Sequence, residues 1–352
     1  MRTNLPWLLA LILAGPPAEA GSGRWERLPS LPDREGFAGS FAGVSGGALV
    51  VAGGANFPGA KPWEGGTKAW TDAVFVLDRP GGEWKMAGKL PRPLGYGVSA
   101  TWGDGVICVG GSDAGRHHAD AFRLVWKDGR IAVEPFPALP QPVANACGAV
   151  VGNTLYVAGG QETPDATGAL DAAWAIDLDA PSPAWRAIAA CPGGGRILAV
   201  AAACDGAFWV AGGAGLEAGE GGKAVRRYRT DAHRFDPGRG WTRVADLPRP
   251  VVAAPSPAPS DARGFLVAGG DDGSRAGMAQ ERHTGFDRKA IRFDLAAGRW
   301  AGAGDLPAPR VTVPAVRWGR SWVIPGGEVR PGVRSPEVWS WTSDAATETA
   351  RP

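Results

Sequence analysis

Short apolar runs recur at near-regular intervals along this chain, and each run ends at a pair of glycines. The steps between the second glycines of successive pairs are 57, 49, 53, 57 and 57 residues. The runs, such as residues 49–52 and 208–211, are rich in β-branched or aromatic residues, which is typical of buried strands. Glycine allows positive φ and close backbone approach, so the pairs indicate strand ends. The six pairs are Gly53-Gly54, Gly110-Gly111, Gly159-Gly160, Gly212-Gly213, Gly269-Gly270 and Gly326-Gly327.

Two further strands follow each of the first five pairs. The third-strand runs are residues 74–77, 121–124, 174–177, 233–236 and 291–294. The fourth strand carries a large aromatic that we expect to pack between neighbouring units: Trp84, Phe136, Trp185, Trp241 and Trp300. A Leu-Pro or Cys-Pro turn then starts the next unit. A repeat near fifty residues with a terminal glycine doublet is typical of kelch-type propeller blades.

The two ends of the chain complete one blade between them. Only 25 residues follow Gly327, and they supply a third strand at 337–341 but no fourth. Residues 25–29 supply the missing strand at the other end of the sequence. We therefore predict an all-β, six-bladed kelch-type β-propeller whose last blade is closed by the N-terminal strand. Closure of this kind leaves no exposed sheet edge.

The first twenty residues resemble a signal peptide. Arg2 precedes an apolar stretch at 5–14, and Ala18-Glu19-Ala20 forms an A-x-A cleavage site. We expect a signal peptide at 1–20, a propeller at 21–352, and export to the periplasm or secretion. No other run approaches membrane length. The mature protein is therefore expected to have no membrane partner.

Charge and cysteine content narrow the function further. The net charge is +2, from 37 basic and 35 acidic residues, and no basic tract indicates nucleic acid. The four cysteines show no C-x-x-C spacing, so a zinc site is not indicated. Cys108, Cys147 and Cys204 lie in apolar strands and are most simply interpreted as core residues. The sequence does not decide whether Cys191 and Cys204 form a disulfide.

The long loops after the glycine pairs share one face with the connections between blades, and this face collects arginines. Long loops on a rigid scaffold are where binding sites are expected. A funnel of guanidinium groups favours a ligand with a carboxylate, and the alternative is that each turn arginine is merely solvated. Arg34 and Arg196 are candidates for binding such a ligand. The full set is Arg34, Arg92, Arg196, Arg249 and Arg310 after the turns, and Arg226, Arg227, Arg229, Arg275, Arg330 and Arg334 in the loops.

Two loops carry the clearest candidate chemistry. Glu328 directly follows a glycine pair, and Arg334 lies six positions on, past a Pro-Gly turn that folds the loop back. The two side chains can therefore meet over the channel mouth, either as a reacting pair or as an ion pair that stabilises the loop. The loop after Gly54 combines groups suited to a sugar, with stacking on an aromatic ring and hydrogen bonds from polar side chains, and its alternative is an ordered structural loop. Its candidates are Asn56, Trp63, Glu64 and Lys68.

These segments together resemble the sialic acid mutarotases (N-acetylneuraminate epimerases), in a cyclically permuted form. The C-terminal match comprises Gly327-Glu328, Pro331-Gly332, Arg334-Ser335 and Glu337-Val338-Trp339. The N-terminal match comprises Glu35-Gly36-Phe37-Ala38-Gly39, Ala52-Gly53-Gly54-Ala55, Glu64-Gly65, Lys68 and Trp70-Thr71-Asp72. The turn at 191–196 resembles the P-G-G-x-R turn near the start of the unpermuted members. The resemblance covers nearly all of the mature chain.

The resemblance implies an isomerase that interconverts the anomers of an acidic sugar, most directly N-acetylneuraminate. It implies Glu328 as the acid/base group and Arg334 as the partner of the sugar carboxylate. Mutarotation opens a cyclic hemiketal and recloses it, so no metal or redox cofactor is expected. A small acidic sugar is then the expected partner.

Other kelch functions remain as alternatives. A non-catalytic propeller that binds a glycan or a protein is the main one. A copper oxidase of the galactose-oxidase type needs tyrosine and histidine ligands, but the chain has three tyrosines and four histidines, and Tyr156 falls within a buried strand. A sialidase is also six-bladed, but the S-x-D-x-G-x-T-W boxes of that family are missing from the sequence.

Overall fold

The structure is a computed structural model that describes residues 23–344. The expected signal peptide and the last eight residues lie outside this range. The described strands of the first half are β1 (Gly23–Leu28), β2 (Phe41–Ser45), β3 (Ala48–Ala52), β4 (Ala55–Asn56), β5 (Ala69–Trp70), β6 (Ala73–Leu77), β7 (Trp84–Lys89), β8 (Val98–Trp102), β9 (Gly105–Val109), β10 (Ala121–Lys127), β11 (Arg130–Phe136), β12 (Cys147–Val151), β13 (Thr154–Ala158), β14 (Ala173–Asp177) and β15 (Arg186–Ile188).

The second half continues the same pattern. Its strands are β16 (Val200–Cys204), β17 (Ala207–Ala211), β18 (Ala214–Ala218), β19 (Ala224–Tyr228), β20 (Ala232–Asp236), β21 (Gly240–Arg243), β22 (Ser260–Asp261), β23 (Gly264–Gly270), β24 (Asp287–Asp294), β25 (Arg299–Asp305), β26 (Val316–Trp318), β27 (Ser321–Pro325), β28 (Glu328–Arg330), β29 (Val333–Arg334) and β30 (Val338–Ser343). Three single-turn 3₁₀ helices lie in the long loops at Pro62–Glu64, Glu220–Gly222 and Gln280–Arg282. Among residues 23–344 we find no helical segment with the length and hydropathy of a membrane crossing.

Six four-stranded antiparallel sheets form the blades, as the glycine spacing predicts. In chain order they are β2-β3-β6-β7, β8-β9-β10-β11, β12-β13-β14-β15, β16-β17-β20-β21, β22-β23-β24-β25 and β26-β27-β30-β1. The last blade confirms the predicted closure, because β1 pairs antiparallel with β30 from Gly23 opposite Ser343 to Leu28 opposite Val338. The solvent-facing edge of β30 is thereby covered by the start of the chain.

The core lies between adjacent blades rather than within each blade. One cluster joins Phe41 and Val50 of the first blade to Val106 and Phe122 of the second. The tryptophans of the fourth strands reach across the same interfaces, which confirms the predicted packing role. Each indole Nε1 donates to a carbonyl of the preceding blade at 2.8 Å, in the pairs Trp84–Pro29, Trp185–Pro137, Trp241–Ala189 and Trp300–Ala245.

A closed ring of backbone hydrogen bonds surrounds the propeller axis. Each connection between blades contributes one residue in the left-handed conformation, with φ between 54° and 70°. The amide of each residue donates to the carbonyl of the preceding member at 2.7 or 2.8 Å. The last bond, from Gly39 to Thr312, joins the first blade to the sixth. The members are Gly39, Tyr96, Asn145, Leu198, Ala253 and Thr312.

This ring requires glycine at one position in particular. A Cβ on Gly39 would lie only 2.7–2.9 Å from the ring of Tyr96, so a larger residue does not fit there. The hydrogen-bonded ring is therefore tightly packed at this point, with the side chain of Tyr96 against Gly39.

The four cysteines are buried and carry free thiols. Three of them confirm the expectation of core residues. Cys191 is also buried, and because Cys191 and Cys204 both carry free thiols, the structure does not contain the disulfide that the sequence leaves open.

Candidate functional site

A cavity of about 340 Å³ opens on the face that carries the long loops. It lies in the lower part of the range for small-molecule sites. Loops from the first, fourth, fifth and sixth blades form its wall. The lining residues are Phe57, Pro62, Lys68, Arg226, Asp271, Gln280, Phe286, Glu328, Pro331, Gly332 and Arg334. A smaller axial cavity of about 60 Å³ is lined by the hydrogen-bonded ring and by neighbouring small residues.

Glu328 and Arg334 lie opposite each other in the hairpin of β28 and β29. The Pro-Gly turn reverses the chain as the sequence predicts. Nη1 of Arg334 donates to Oε1 of Glu328 at 2.9 Å, and the amide of Gly332 donates to the same oxygen at 2.7 Å. The side chain of Glu328 is 15% exposed and that of Arg334 is 6% exposed. The turn therefore brings a carboxylate and a guanidinium together at the cavity wall.

Arg334 also contacts the first blade. Its Nε donates to the carbonyl of Ala55 at 3.4 Å, and its guanidinium carbon lies 4.7 Å from the ring centroid of Phe57. Both contacts belong to the loop that follows the first glycine pair. Blade six thus orients its arginine against blade one, and the closure of the ring positions the site.

Lys68 enters the cavity from the first blade. Its Nζ lies 4.0 Å from the ring centroid of Tyr96 and 4.4 Å from that of Trp70. The two rings meet edge to face at 6.3 Å. Burial, together with the positive charge of Arg334, lowers the pKa of Lys68 to about 8, against the opposing effect of Glu328. The ammonium of Lys68 therefore loses its proton more readily than that of an exposed lysine.

Tyr96 forms the floor beneath Lys68. Its hydroxyl is buried and lies close to the guanidinium of Arg334. Burial raises the pKa of Tyr96 to about 12, although the nearby Arg334 acts in the opposite direction. The phenol is thus held neutral, as a polar group close to the Glu328–Arg334 pair.

Three candidates from the first loop support that loop rather than line the cavity. Nδ2 of Asn56 donates to Asp33 at 3.1 Å. Glu64 is exposed and accepts the amide of Lys61 at 2.9 Å, which caps the short helix at Pro62–Glu64. The ring of Trp63 lies 4.9 Å from the guanidinium of Arg330 and packs near Gly332. Phe57 and Phe286, by contrast, line the cavity, and stacking of a sugar on Trp63 stays a prediction.

The two arginines proposed as ligand-binding residues are also not among the residues that line the cavity. Arg34 is exposed in the turn before Gly36. Arg196 is 1% exposed, and its Nη2 donates to Asp231 and to the carbonyl of Pro192, both at 2.7 Å. Its guanidinium is therefore committed to the fold, since a buried charge needs such partners.

The other arginines that follow proline turns are used in the same way. Each contacts an acidic residue at or just before a third strand, as in the pairs Arg92–Asp120, Arg249–Asp287 and Arg310–Glu337, at 2.6, 3.0 and 2.6 Å. Most of the arginines that the sequence assigns to a guanidinium funnel therefore do not line the cavity. Arg226 and Arg334 are the two arginines among the residues that line the cavity.

Asp271 is a lining residue that the sequence argument missed. It directly follows the fifth glycine pair, as Glu328 follows the sixth, and both make the same isolated bridge to the preceding connection. Asp271 accepts the hydroxyl of Tyr228 at 2.7 Å. The equivalent residues of the other blades are Ala55, Ser112, Gln161 and Ala214. Superposing the repeats at this one position would have selected Asp271 and Glu328 together.

Two segments without a sequence interpretation have structural roles. His118 is buried, with Nε2 at 2.7 Å from Asp113 and Nδ1 at 2.7 Å from Arg92. The 214–230 loop contains the hairpin of β18 and β19, which brings Arg226 to the cavity. The first is a hydrogen-bond network around a buried histidine, and the second extends the wall of the site.

Known proteins match this chain in two ways. Residues 18–133 match the family model for N-acetylneuraminate epimerase. The N-acetylneuraminate epimerases of Salmonella arizonae and Brucella suis are 40% and 38% identical over 116 and 130 residues, covering 30% and 32% of this chain and 30% and 33% of theirs. The solved structure of YjhT is 17% identical with a TM-score of 0.65, over 90% of this chain and 98% of that one.

These matches confirm the resemblance over the first third of the chain and the propeller fold over most of it. The aligned part spans about a third of the length of the curated relatives. It includes Lys68 but ends well before Glu328 and Arg334. The cyclic permutation stays a prediction.

Proposed function

We propose that this protein is a mutarotase that interconverts the anomers of an acidic sugar, with N-acetylneuraminate as the first substrate to test. The observation that carries the proposal is the Glu328–Arg334 pair on the wall of a cavity of small-molecule size. The similarity of residues 18–133 to N-acetylneuraminate epimerases supports the choice of sugar.

The sugar carboxylate is the group that Arg334 is suited to bind. The hydrogen bonds of Arg334 described above use Nη1 and Nε, so Nη2 is the nitrogen we expect to meet the ligand. A charge-assisted bond of this kind is strong and directional. Arg226 lines the same cavity and adds a second positive charge. In this arrangement the anomeric carbon, which bears the carboxylate, is held beside the hairpin.

Glu328 is the group we assign to the anomeric hydroxyl. Both hydrogen bonds that hold its carboxylate go to Oε1, so the side chain is fixed while Oε2 can accept a proton. Transfer of the hydroxyl proton to Glu328 accompanies cleavage of the bond between the anomeric carbon and the ring oxygen, and a second donor protonates the ring oxygen as it leaves. The open-chain ketone then recloses on its other face, and the proton returns. A positioned group of this kind contributes roughly 10²–10⁴-fold to the rate.

The experiment is an NMR measurement of anomer exchange with the purified protein. We expect faster exchange between the α and β forms of N-acetylneuraminate, and little effect on neutral aldoses, which lack the carboxylate. Acceleration of neutral aldoses to the same degree would contradict the role of Arg334. Binding of the acidic sugar with an unchanged exchange rate would instead support a non-catalytic glycan-binding propeller.

A further inference from the structure

We propose that Lys68 is a second proton-transfer residue of this site, exchanging a proton with the ring oxygen while Glu328 exchanges one with the anomeric hydroxyl. This inference rests on the proposed function, because it assigns a role within the same reaction. It concerns a different side chain, blade and oxygen atom from those assigned above.

The reaction requires proton exchange at two oxygens. Opening the hemiketal removes a proton from the anomeric hydroxyl and adds one to the ring oxygen, and these oxygens are distinct atoms on the same carbon. Glu328 and Lys68 line one cavity but come from opposite ends of the chain, one from β28 and the other from the loop before β5. One group can therefore serve each oxygen.

The contacts of Lys68 differ from those of the other lysines in the first blade. Lys61 pairs with Glu35, Lys85 with Asp78 and Lys89 with Asp72. Lys68 instead lies over the faces of Tyr96 and Trp70. An aromatic face stabilises an ammonium without giving it a proton acceptor. The ammonium is thus held in place while its protons remain available to a ligand in the cavity.

The charges around Lys68 keep it able to exchange a proton. Glu328 and Arg334 act on it from the hairpin, the neutral phenol of Tyr96 lies beneath it, and Asp271 and Arg226 line the same cavity. Burial and Arg334 lower the pKa of Lys68 to about 8. A proton donor works best when its pKa is close to the working pH. The carboxylate of a bound sugar would favour the ammonium form, which is the form needed for ring opening.

The proton balance is complete without a further reactant. In ring opening, Lys68 gives one proton to the ring oxygen, Glu328 takes one from the anomeric hydroxyl, and the carbon–ring oxygen bond breaks as the ketone forms. Rotation about the adjacent carbon–carbon bond presents the other face. In ring closure, neutral Lys68 takes the proton from the hydroxyl that attacks, and Glu328 returns its proton to the carbonyl oxygen.

The test compares Lys68→Met with Lys85→Met, which removes an exposed lysine of the same blade. Anomer exchange of N-acetylneuraminate is measured by NMR and binding by calorimetry. We expect Lys68→Met to lower kcat by roughly 10²–10⁴-fold with a much smaller rise in Kd, and Lys85→Met to match the parent. In Lys68→Ala, which leaves room for a small amine, added ethylamine is expected to restore part of the lost rate.

The pH profile gives a readout that a structural role would not move. The parent needs the Lys68 ammonium, so its kcat/KM is expected to fall as the pH rises above about 8, and this fall is expected to be lost in Lys68→Met. If Lys68→Met disturbs the fold, Lys68→Arg serves as a second variant that keeps the positive charge. It should also be inactive, because a guanidinium does not release its proton.

Three outcomes would overturn the assignment. A rise in KM with unchanged kcat would make Lys68 a binding residue. An active Lys68→Arg variant, or an unchanged alkaline fall in Lys68→Met, would show that its proton is not used. A parent protein without anomer exchange would refute the proposed function itself, and that result is visible before any variant is made.

Discussion

Two buried arginine–carboxylate pairs in this propeller are almost identical by ordinary measures. Arg196 lies 2.7 Å from Asp231 with exposures of 1% and 17%, and Arg334 lies 2.9 Å from Glu328 with exposures of 6% and 15%. The first is surrounded by protein partners, since Arg196 also bonds the carbonyls of Pro192 and Gly212 and His233 also bonds Asp231. The second lines a cavity together with Lys68. The surroundings of a pair, more than its distance or burial, separate a bond that locks the fold from a group that can react.

The largest effect is expected from Glu328→Gln. The amide keeps the shape of the side chain but cannot take the proton, so we expect the rate of anomer exchange to fall by roughly 10²–10⁴-fold with binding retained. NMR exchange and calorimetry measure the two quantities. Glu64→Gln, which changes an exposed carboxylate outside the cavity, is the matched control. Parent activity in Glu328→Gln would remove the distinction between the two pairs.

Asp231→Ala is expected to act on stability instead. It leaves the Arg196 charge buried without its partner, which costs about 3–5 kcal/mol of unfolding free energy. Urea titration measures the loss, and exchange activity should persist wherever the variant is folded. Asp246→Ala removes an acid that pairs with Arg243 at the surface, and about 1 kcal/mol or less is expected there.

The pH dependence of stability supplies a further check on Asp231. Burial alone would raise its pKa, but hydrogen bonds from His233 and Arg196 outweigh burial and hold the pKa well below the ordinary value of 3.8. Its stabilising contribution is therefore present above that value and is lost as the pH falls below it. The stability difference between the parent and Asp231→Ala should shrink below about pH 4, and a constant difference would argue against the ion pair.

Arg334→Ala is expected to weaken binding first. A hydrogen bond to a charged group contributes about 1.5–3 kcal/mol, so the Kd for N-acetylneuraminate should rise by roughly 10–150-fold. Calorimetry measures the change. Substrate binding at parental affinity would mean that the carboxylate is held elsewhere, with Arg226 as the next residue to test.

The smallest effect is expected from Arg34→Ala. Arg34 is exposed and is not among the residues that line the cavity. A surface substitution of this kind changes free energies by roughly 0.5 kcal/mol, so exchange and binding should stay within about twofold of the parent. A large loss of either would place Arg34 in the site after all.

The sequence was sufficient for the fold because the decisive signals are local or periodic. Glycine pairs mark the ends of the second strands. The sequence predicts no fourth strand after the run at 337–341, so it assigns residues 25–29 to that place, and the pairing of β1 with β30 confirms the assignment. The Pro-Gly turn likewise predicts that residues 328 and 334 approach each other, because a hairpin of that length has few registers.

The rest of the site depends on contacts between distant segments. The direction of the Trp63 ring is set by Arg330 and Gly332, which are more than 250 residues away in sequence. Arg196 and Arg334 have similar neighbours in sequence, and only Asp231 in one case and the cavity in the other distinguish them. The lowered pKa of Lys68 likewise arises from burial and from an arginine of another blade.

A crystal structure of Glu328→Gln with bound N-acetylneuraminate would test the central claim most directly. We expect the sugar carboxylate on the guanidinium of Arg334 and the anomeric oxygen within about 2.6–3.2 Å of the side chain at position 328. A sugar bound in the cavity with its carboxylate away from Arg334, or with its anomeric centre out of reach of position 328, would contradict the account.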